Sequence, residues 1–180
     1  MANNYKIIFT GPVGAGKSTA IQSISDISVV STDEVSTDMA KKRKLSTTVA
    51  LDYGMMELGS GERVHLYGTP GQERFDFMWD ILTEGGLGLI LMIDNARKDP
   101  LRDLRFFLNA FKDFIGRTGV VIGITRVDVN NEPTLQDYHR ELRENHANQL
   151  PLFEVDARRH EDISMLVQTL LYSLDPELVE

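Results

Sequence analysis

Gly11-Pro12-Val13-Gly14-Ala15-Gly16-Lys17-Ser18 is the stretch that decides the reading of this chain. It matches the phosphate-loop pattern G-x-x-x-x-G-K-[ST] at every fixed position. Gly14 and Gly16 let the backbone turn its amides toward a phosphate with no Cβ in the way. Lys17 brings a point charge to the outer phosphate oxygens, and the Ser18 hydroxyl is a hard oxygen ligand for Mg²⁺. The flanks have the order the motif demands. Residues 5–10 form a short apolar strand upstream, and residues 18–26 place Ala20, Ile21 and Ile24 at helical spacing downstream. The helix adds its positive end to the same anion site.

Composition narrows the classes. A chain of 180 residues has the size of one domain with a proper core, and one domain over residues 1–180 is the expectation. A net charge of −8 argues against a nucleic-acid surface. With no cysteine, disulfides, thiolate metal sites, prenylation and palmitoylation are excluded, and Ala2 stands where myristoylation needs glycine. No apolar run reaches the length of a membrane span, so a cytoplasmic protein without a membrane anchor of its own is expected.

Beyond the first helix, residues 31–46 are polar, carry the basic run Lys41-Lys42-Arg43-Lys44 and read as a loop. Residues 47–58 alternate as a strand, with Val49, Leu51 and Tyr53 on one face. A turn at Gly59-Ser60-Gly61 returns the chain into a second strand. A loop through Gly68-Thr69-Pro70-Gly71-Gln72-Glu73 leads to a helix containing Trp79. Strands over 87–93, 120–125 and 152–155 then alternate with helices opening at Pro100, near Pro133 and at Ile163. The helix from Pro100 is expected to run unbroken through Phe114. This alternation predicts a phosphate-loop α/β fold. Its doubly wound, mostly parallel sheet has six strands, one antiparallel at the edge, with helices on both faces.

Five elements in register resemble the Ras-like small GTPases, and most of all the bacterial gliding-motility and conservon type. They are the phosphate loop, Thr48 leading a strand, Gly68-Thr69-Pro70-Gly71-Gln72-Glu73, Thr125-Arg126-Val127-Asp128 and Asp156-Ala157-Arg158. The resemblance implies GTP or GDP as ligand with Mg²⁺, the metal held by Ser18 and Thr48, with Thr47 as rival to Thr48. Residues Val13, Gly14, Ala15, Gly16, Lys17, Ser18, Thr19 and Gly71 would then surround the phosphates. Thr125, Arg126, Asp128, Ala157 and Arg158 would surround the base. Asp128 would accept from guanine N1–H and the 2-amino group, a pairing adenine cannot offer. Gln72 would position the attacking water.

The chain departs from that family at three places. Gly68 replaces an aspartate that supports Mg²⁺ through water, with Asp33, Asp38 and Asp52 the carboxylates nearest in sequence to replace it. Val13 replaces a glycine beside the outer phosphate. Pro70 stiffens the second switch. No arginine stands beside the switch threonine; Arg43 is the nearest in sequence. The expectation is a GTP-binding molecular switch that hydrolyses GTP slowly and needs a partner on both switch loops, such as a small roadblock-type dimer. The alternatives are a nucleotide-binding scaffold with little hydrolysis and, further off, a phosphate-loop kinase for a small metabolite. Trp79 is read as either packed inward or offered to a partner.

Overall fold

Gly88–Asp94 is buried at all seven positions, and Val120–Thr125 at all six. Runs of this kind belong at the centre of a parallel sheet, covered on both faces. The computed structural model describes residues 3–31, 51–71, 76–145, 147 and 149–175. In chain order the elements are β1 (Asn4–Thr10), α1 (Lys17–Ile24), β2 (Val30–Ser31), β3 (Asp52–Glu57), β4 (Arg63–Gly68) and α2 (Asp76–Thr83). They continue with β5 (Gly88–Asp94), α3 (Pro100–Ala110), α4 (Lys112–Arg117), β6 (Val120–Thr125), α5 (Leu135–Glu144), β7 (Leu152–Glu154) and α6 (His160–Leu174).

The strands form one sheet in the order β2-β3-β4-β1-β5-β6-β7. β4, β1, β5, β6 and β7 run parallel, and β3 pairs antiparallel with β4. The expected architecture is therefore present, with seven strands instead of six. The additional one is β2, two residues paired antiparallel with Tyr53 and Asp52, too short to carry an alternating signal. Chain order reverses beside β1, which lies between β4 and β5, and this places a ligand crevice at the carboxyl ends of the strands.

Two apolar layers cover the sheet. On one face Ile7, Phe9, Met92 and Val121 pack with Ile21 of α1 and Ile163, Leu166 and Leu170 of α6. On the other, Ile8, Leu91, Ile93 and Ile122 pack with Trp79, Leu104, Phe107 and Tyr138. The alternation of Ile7 and Phe9 against Ile8 is the strand period of two. Each such side chain contributes roughly 1.5–3 kcal/mol on burial, so Leu91→Ala in mid-sheet costs about 2–5 kcal/mol.

Local signals set the helix starts. Asp99 caps α3 by accepting from the Arg102 N–H at 3.0 Å, with Pro100 in the first turn. Thr134 and Asp137 form a reciprocal capping box on α5. The expected single helix from Pro100 is instead two, α3 and α4, divided at Phe111. The apolar spacing continues across the break because Phe107, Phe111 and Phe114 all bury on the same layer, and periodicity alone cannot see the discontinuity.

Candidate functional site

The loop between β1 and α1 is held by its own lysine. Lys17 is buried, and its Nζ donates to the carbonyls of Gly11 (2.8 Å) and Pro12 (2.7 Å). Burial pushes the ammonium down to about 8; the nearby Asp52 pulls it back up and the Arg97 guanidinium lowers it further. Gly16 caps α1 in the left-handed region, at φ 92°, and a Cβ there would sit 2.9 Å from the Ala157 Cβ. Glycine is required twice over at that position, by conformation and by space.

A cavity of about 520 Å³ opens between this loop and the ends of β6 and β7. Gly14, Ala15, Gly16 and Thr19 line one side, Thr125, Arg126 and Asp128 another, and Ala157 and Arg158 a third. Segments more than a hundred residues apart thus converge, in a volume ordinary for a small-molecule site. Thr125 Oγ1 ties them together by donating to Ala15 O (3.0 Å) and Ile93 O (3.2 Å).

The loops that carry Asp128 and Ala157 into the cavity are braced from behind. Arg126 lies at φ 59°, and its Nη1 pairs with Asp94 Oδ2 at 3.1 Å. Asn95, fully buried, donates from Nδ2 to Asn130 O (2.6 Å) and Pro133 O (3.2 Å) and accepts from the Tyr138 hydroxyl (2.6 Å). Asn130 Nδ2 answers by donating to Asn95 O at 3.1 Å. These bonds clamp both ends of the turn that carries Asp128. Arg158 forks onto Asp156, Nε to Oδ1 at 2.9 Å and Nη2 to Oδ2 at 2.7 Å. That pair holds the Asp156 carboxyl down at about 2.

At the other end of the phosphate loop, Ser18 Oγ donates to Asp52 Oδ2. Asp52 is 8% exposed and faces Gly68 across the β3–β4 ladder. Of the three carboxylates considered as replacements for an aspartate at Gly68, Asp52 is the one the described residues place at this corner, reaching it from the neighbouring strand. Gly71 comes close as well. A Cβ there would lie 2.5 Å from Val13 N and 2.8 Å from Lys17 Nζ. Trp79 is packed inward, at 3% exposure, and donates from Nε1 to Pro70 O at 3.2 Å.

A protein-family model described as a conserved hypothetical ATP binding protein matches residues 9–175. The chain belongs to this family. It is also similar to the Ras-related protein Rab-27A of Sus scrofa, 23% identical over 173 residues, 92% of this chain and 76% of the relative. The mutual gliding-motility protein MglA of Myxococcus xanthus is 28% identical over 159 residues, 81% and 77% of the two chains. An uncharacterized protein of Methanocaldococcus jannaschii is 26% identical over 92 residues, about half of each chain (51% and 52%). The kinship with Ras-like phosphate-loop GTPases expected from the motifs is borne out at low identity, and with it nucleotide binding at family level.

Of the motif residues, Gly14, Ala15, Gly16, Thr19, Thr125, Arg126, Asp128, Ala157 and Arg158 share the cavity. Val13, Lys17, Ser18 and Gly71 gather at its phosphate end. Gln72, Thr47, Thr48, Asp33, Asp38 and the basic run around Arg43 lie outside the described residues. Sequence reading missed Asn95 and Arg97, whose signal is only their place at the end of a central strand beside the phosphate loop. Among the described residues no helix is long and apolar enough to cross a membrane.

Proposed function

We propose that the protein binds GTP and GDP with Mg²⁺, hydrolyses GTP slowly by itself, and signals its nucleotide state to a partner that engages both switch loops. The observation that carries this reading is Asp128 lining one cavity with Gly14, Gly16 and Ala157. A carboxylate at the mouth of a phosphate loop accepts two hydrogen bonds from the guanine edge. Adenine would present an acceptor to it, leaving like against like. The family description speaks of ATP, so the base is the point to test. The native protein should bind GDP far more tightly than ADP, and Asp128→Asn should turn preference toward xanthine nucleotides. Equal affinity for ADP and GDP would end the guanine reading.

The residues at the phosphate end suit the metal. Ser18 Oγ and the Asp52 carboxylate adjoin, both hard oxygen donors, with no Cβ on Gly68 to crowd them. Ser18 would ligate Mg²⁺ directly and Asp52 would orient its water, with Thr48 joining when the first switch closes. The ion would neutralise charge on the β and γ oxygens. Lys17 holds the same oxygens from within the loop, and Gln72 orients the attacking water.

One observation favours the alternative of a nucleotide-holding scaffold with little hydrolysis. Gly71 sits against Val13 and Lys17, where the outer phosphate must enter, so the second switch has to withdraw before GTP fits. Single-turnover hydrolysis with saturating Mg²⁺ separates the two: a slow but Gln72-dependent rate supports the switch, and no rate above that of free GTP supports the scaffold.

A further inference from the structure

The transferred phosphate needs a positive charge beyond Lys17, and the described residues bring one to the phosphate loop. Arg97 follows β5, whose strand pairs directly with β1. Its Nε donates to Asp103 Oδ2 at 2.7 Å, and its Nη1 donates to the Val13 carbonyl at 3.3 Å. We propose that Arg97 is the chain's own arginine for the transferred phosphate, parked on Val13 and Asp103 until the outer phosphate is in place. The proposal rests on the reading of the protein as a GTP-hydrolysing switch.

Val13 is the hinge of the argument. Its amide nitrogen faces Gly71 and lies near Lys17 Nζ, the place where the second switch meets the phosphate lysine. Its carbonyl is held by Arg97. The two atoms belong to one residue and lie roughly 3 Å apart by standard bond lengths. The guanidinium therefore needs only a short swing around Val13 to reach the outer phosphate oxygens. After burial, which is the main cause, the Arg97 guanidinium also helps to lower the Lys17 ammonium.

The two bonds that hold Arg97 are unequal. The Asp103 bond is short and charge-assisted, to a carboxylate only 5% exposed in the first turn of α3, and it serves as the anchor. The Val13 bond is long and goes to a neutral carbonyl, so a phosphate oxygen displaces it readily. A planar fork suits this task, because Nε stays on Asp103 while the Nη groups meet the phosphate. Among the described residues, the other arginines lining the cavity are committed: Arg126 to Asp94 and Arg158 to Asp156. Val13, half exposed on the outer side, obstructs an arginine arriving from a partner. A partner then has no arginine to supply, and the isolated chain carries the charge itself.

In the reaction a water oxygen bonds to the γ phosphorus as the bond to the β–γ bridging oxygen breaks. The electron pair leaves with GDP, and the water protons end on the released phosphate and solvent. Arg97 takes no proton; it offsets the charge spread over the oxygens of the transferred group.

Aluminium fluoride with GDP and Mg²⁺ imitates that group and tests the proposal without turnover. The full chain alone, with no partner, should form the GDP–aluminium fluoride complex. Arg97→Ala should keep GDP affinity within about twofold and lose affinity for the complex by at least about tenfold, a small part of what a fully engaged arginine contributes. Arg97→Lys, which keeps charge but not the fork, should fall between and also controls for folding. Equal weakening of GDP and of the complex would mean that Arg97 merely supports the loop, and would overturn the proposal. So would a native chain that forms no complex while binding GDP normally. A chain that binds no guanine nucleotide would instead remove the underlying switch reading, and the proposal with it.

Discussion

Asp52 and Gly68 stand opposite each other on the β3–β4 ladder, and a Cβ on Gly68 would lie 3.2 Å from Asp52 Cβ and 3.3 Å from its Oδ2. The corner has room for one carboxylate, and the chain supplies it from β3. Asp52→Asn should therefore raise the Mg²⁺ concentration that slows GDP release by about 10–100-fold, the usual loss when a group supporting a metal's ligands is removed. Gly68→Asp alone should crowd a second acid against the first and improve nothing. The double variant Asp52→Ala with Gly68→Asp should recover most of the metal dependence. Off-rates of GDP titrated with Mg²⁺ measure this, and an Asp52→Asn curve overlying the native one would remove Asp52 from the metal site.

Trp79 links the segment at Pro70 and Gly71 to the sheet's aromatic layer. It stacks on Phe111 with centroids 4.9 Å apart, lies 5.3 Å from Phe107, and bonds Pro70 O next to Gly71. On the proposed reading GTP moves residues 70 and 71 away from Val13, and that movement would change the setting of the indole. Fluorescence of this single tryptophan should differ between GDP and a non-hydrolysable GTP analogue. Trp79→Phe should abolish the difference at a modest stability cost, whereas Trp79→Ala costs about 3–5 kcal/mol. Identical emission in the two states would mean that Pro70 stays where it is.

What could be read in advance follows from how local each signal is. The phosphate loop, the proline-opened helices and the buried β5 and β6 are written in contiguous residues, so their places were legible. Asp52 was legible only as one of three candidate carboxylates, because choosing it depends on its facing Gly68 across a ladder, and strand alternation says nothing about what stands opposite. Arg97 was hidden in the same way: a charged residue in a turn is ordinarily solvated, and only the adjacency of β1 and β5 brings it to Val13. The two-residue β2 and the break at Phe111 are set by tertiary pairing and packing, with no period of their own.

Asn95 works behind the turn that carries Asp128. It bonds Asn130 in both directions and takes the Tyr138 hydroxyl at 2.6 Å, with Asn95 and Tyr138 fully buried and Asn130 at the surface. Tyr138→Phe leaves one buried acceptor of Asn95 unpaired, at a cost of about 1–3 kcal/mol in stability. Asn95→Ala releases the turn itself and should reduce the preference for GDP over IDP, which lacks the 2-amino group that Asp128 would read. Thermal unfolding measures the first and competitive nucleotide binding the second. Loss of stability with an unchanged GDP/IDP ratio would make Asn95 structural only.

The pair of Asp156 and Arg158 gives the pH dependence. The Arg158 side-chain bonds are the largest influence lowering the Asp156 carboxyl, from 3.8 to about 2, with its own backbone bond to the Arg158 N–H adding to them. A depressed carboxylate stabilises the fold above its unfolded value and loses that contribution as pH falls through its folded value. The loss from this pair therefore lies between pH about 4 and about 2. Both groups are partly in water, so the contribution is small and screened by salt. The consequence for ligand binding is larger, because the fork sets the turn whose Ala157 amide would meet the guanine O6. Arg158→Ala should move the Asp156 titration, followed by carboxyl-carbon NMR, back toward the ordinary carboxylate range. GDP affinity at neutral pH should fall in the same variant, with thermal stability nearly unchanged. If Asp156 titrates identically in the native and variant proteins, the fork is not formed in solution and the turn is held by its backbone bonds and by Asp162 through the Asp156 N–H.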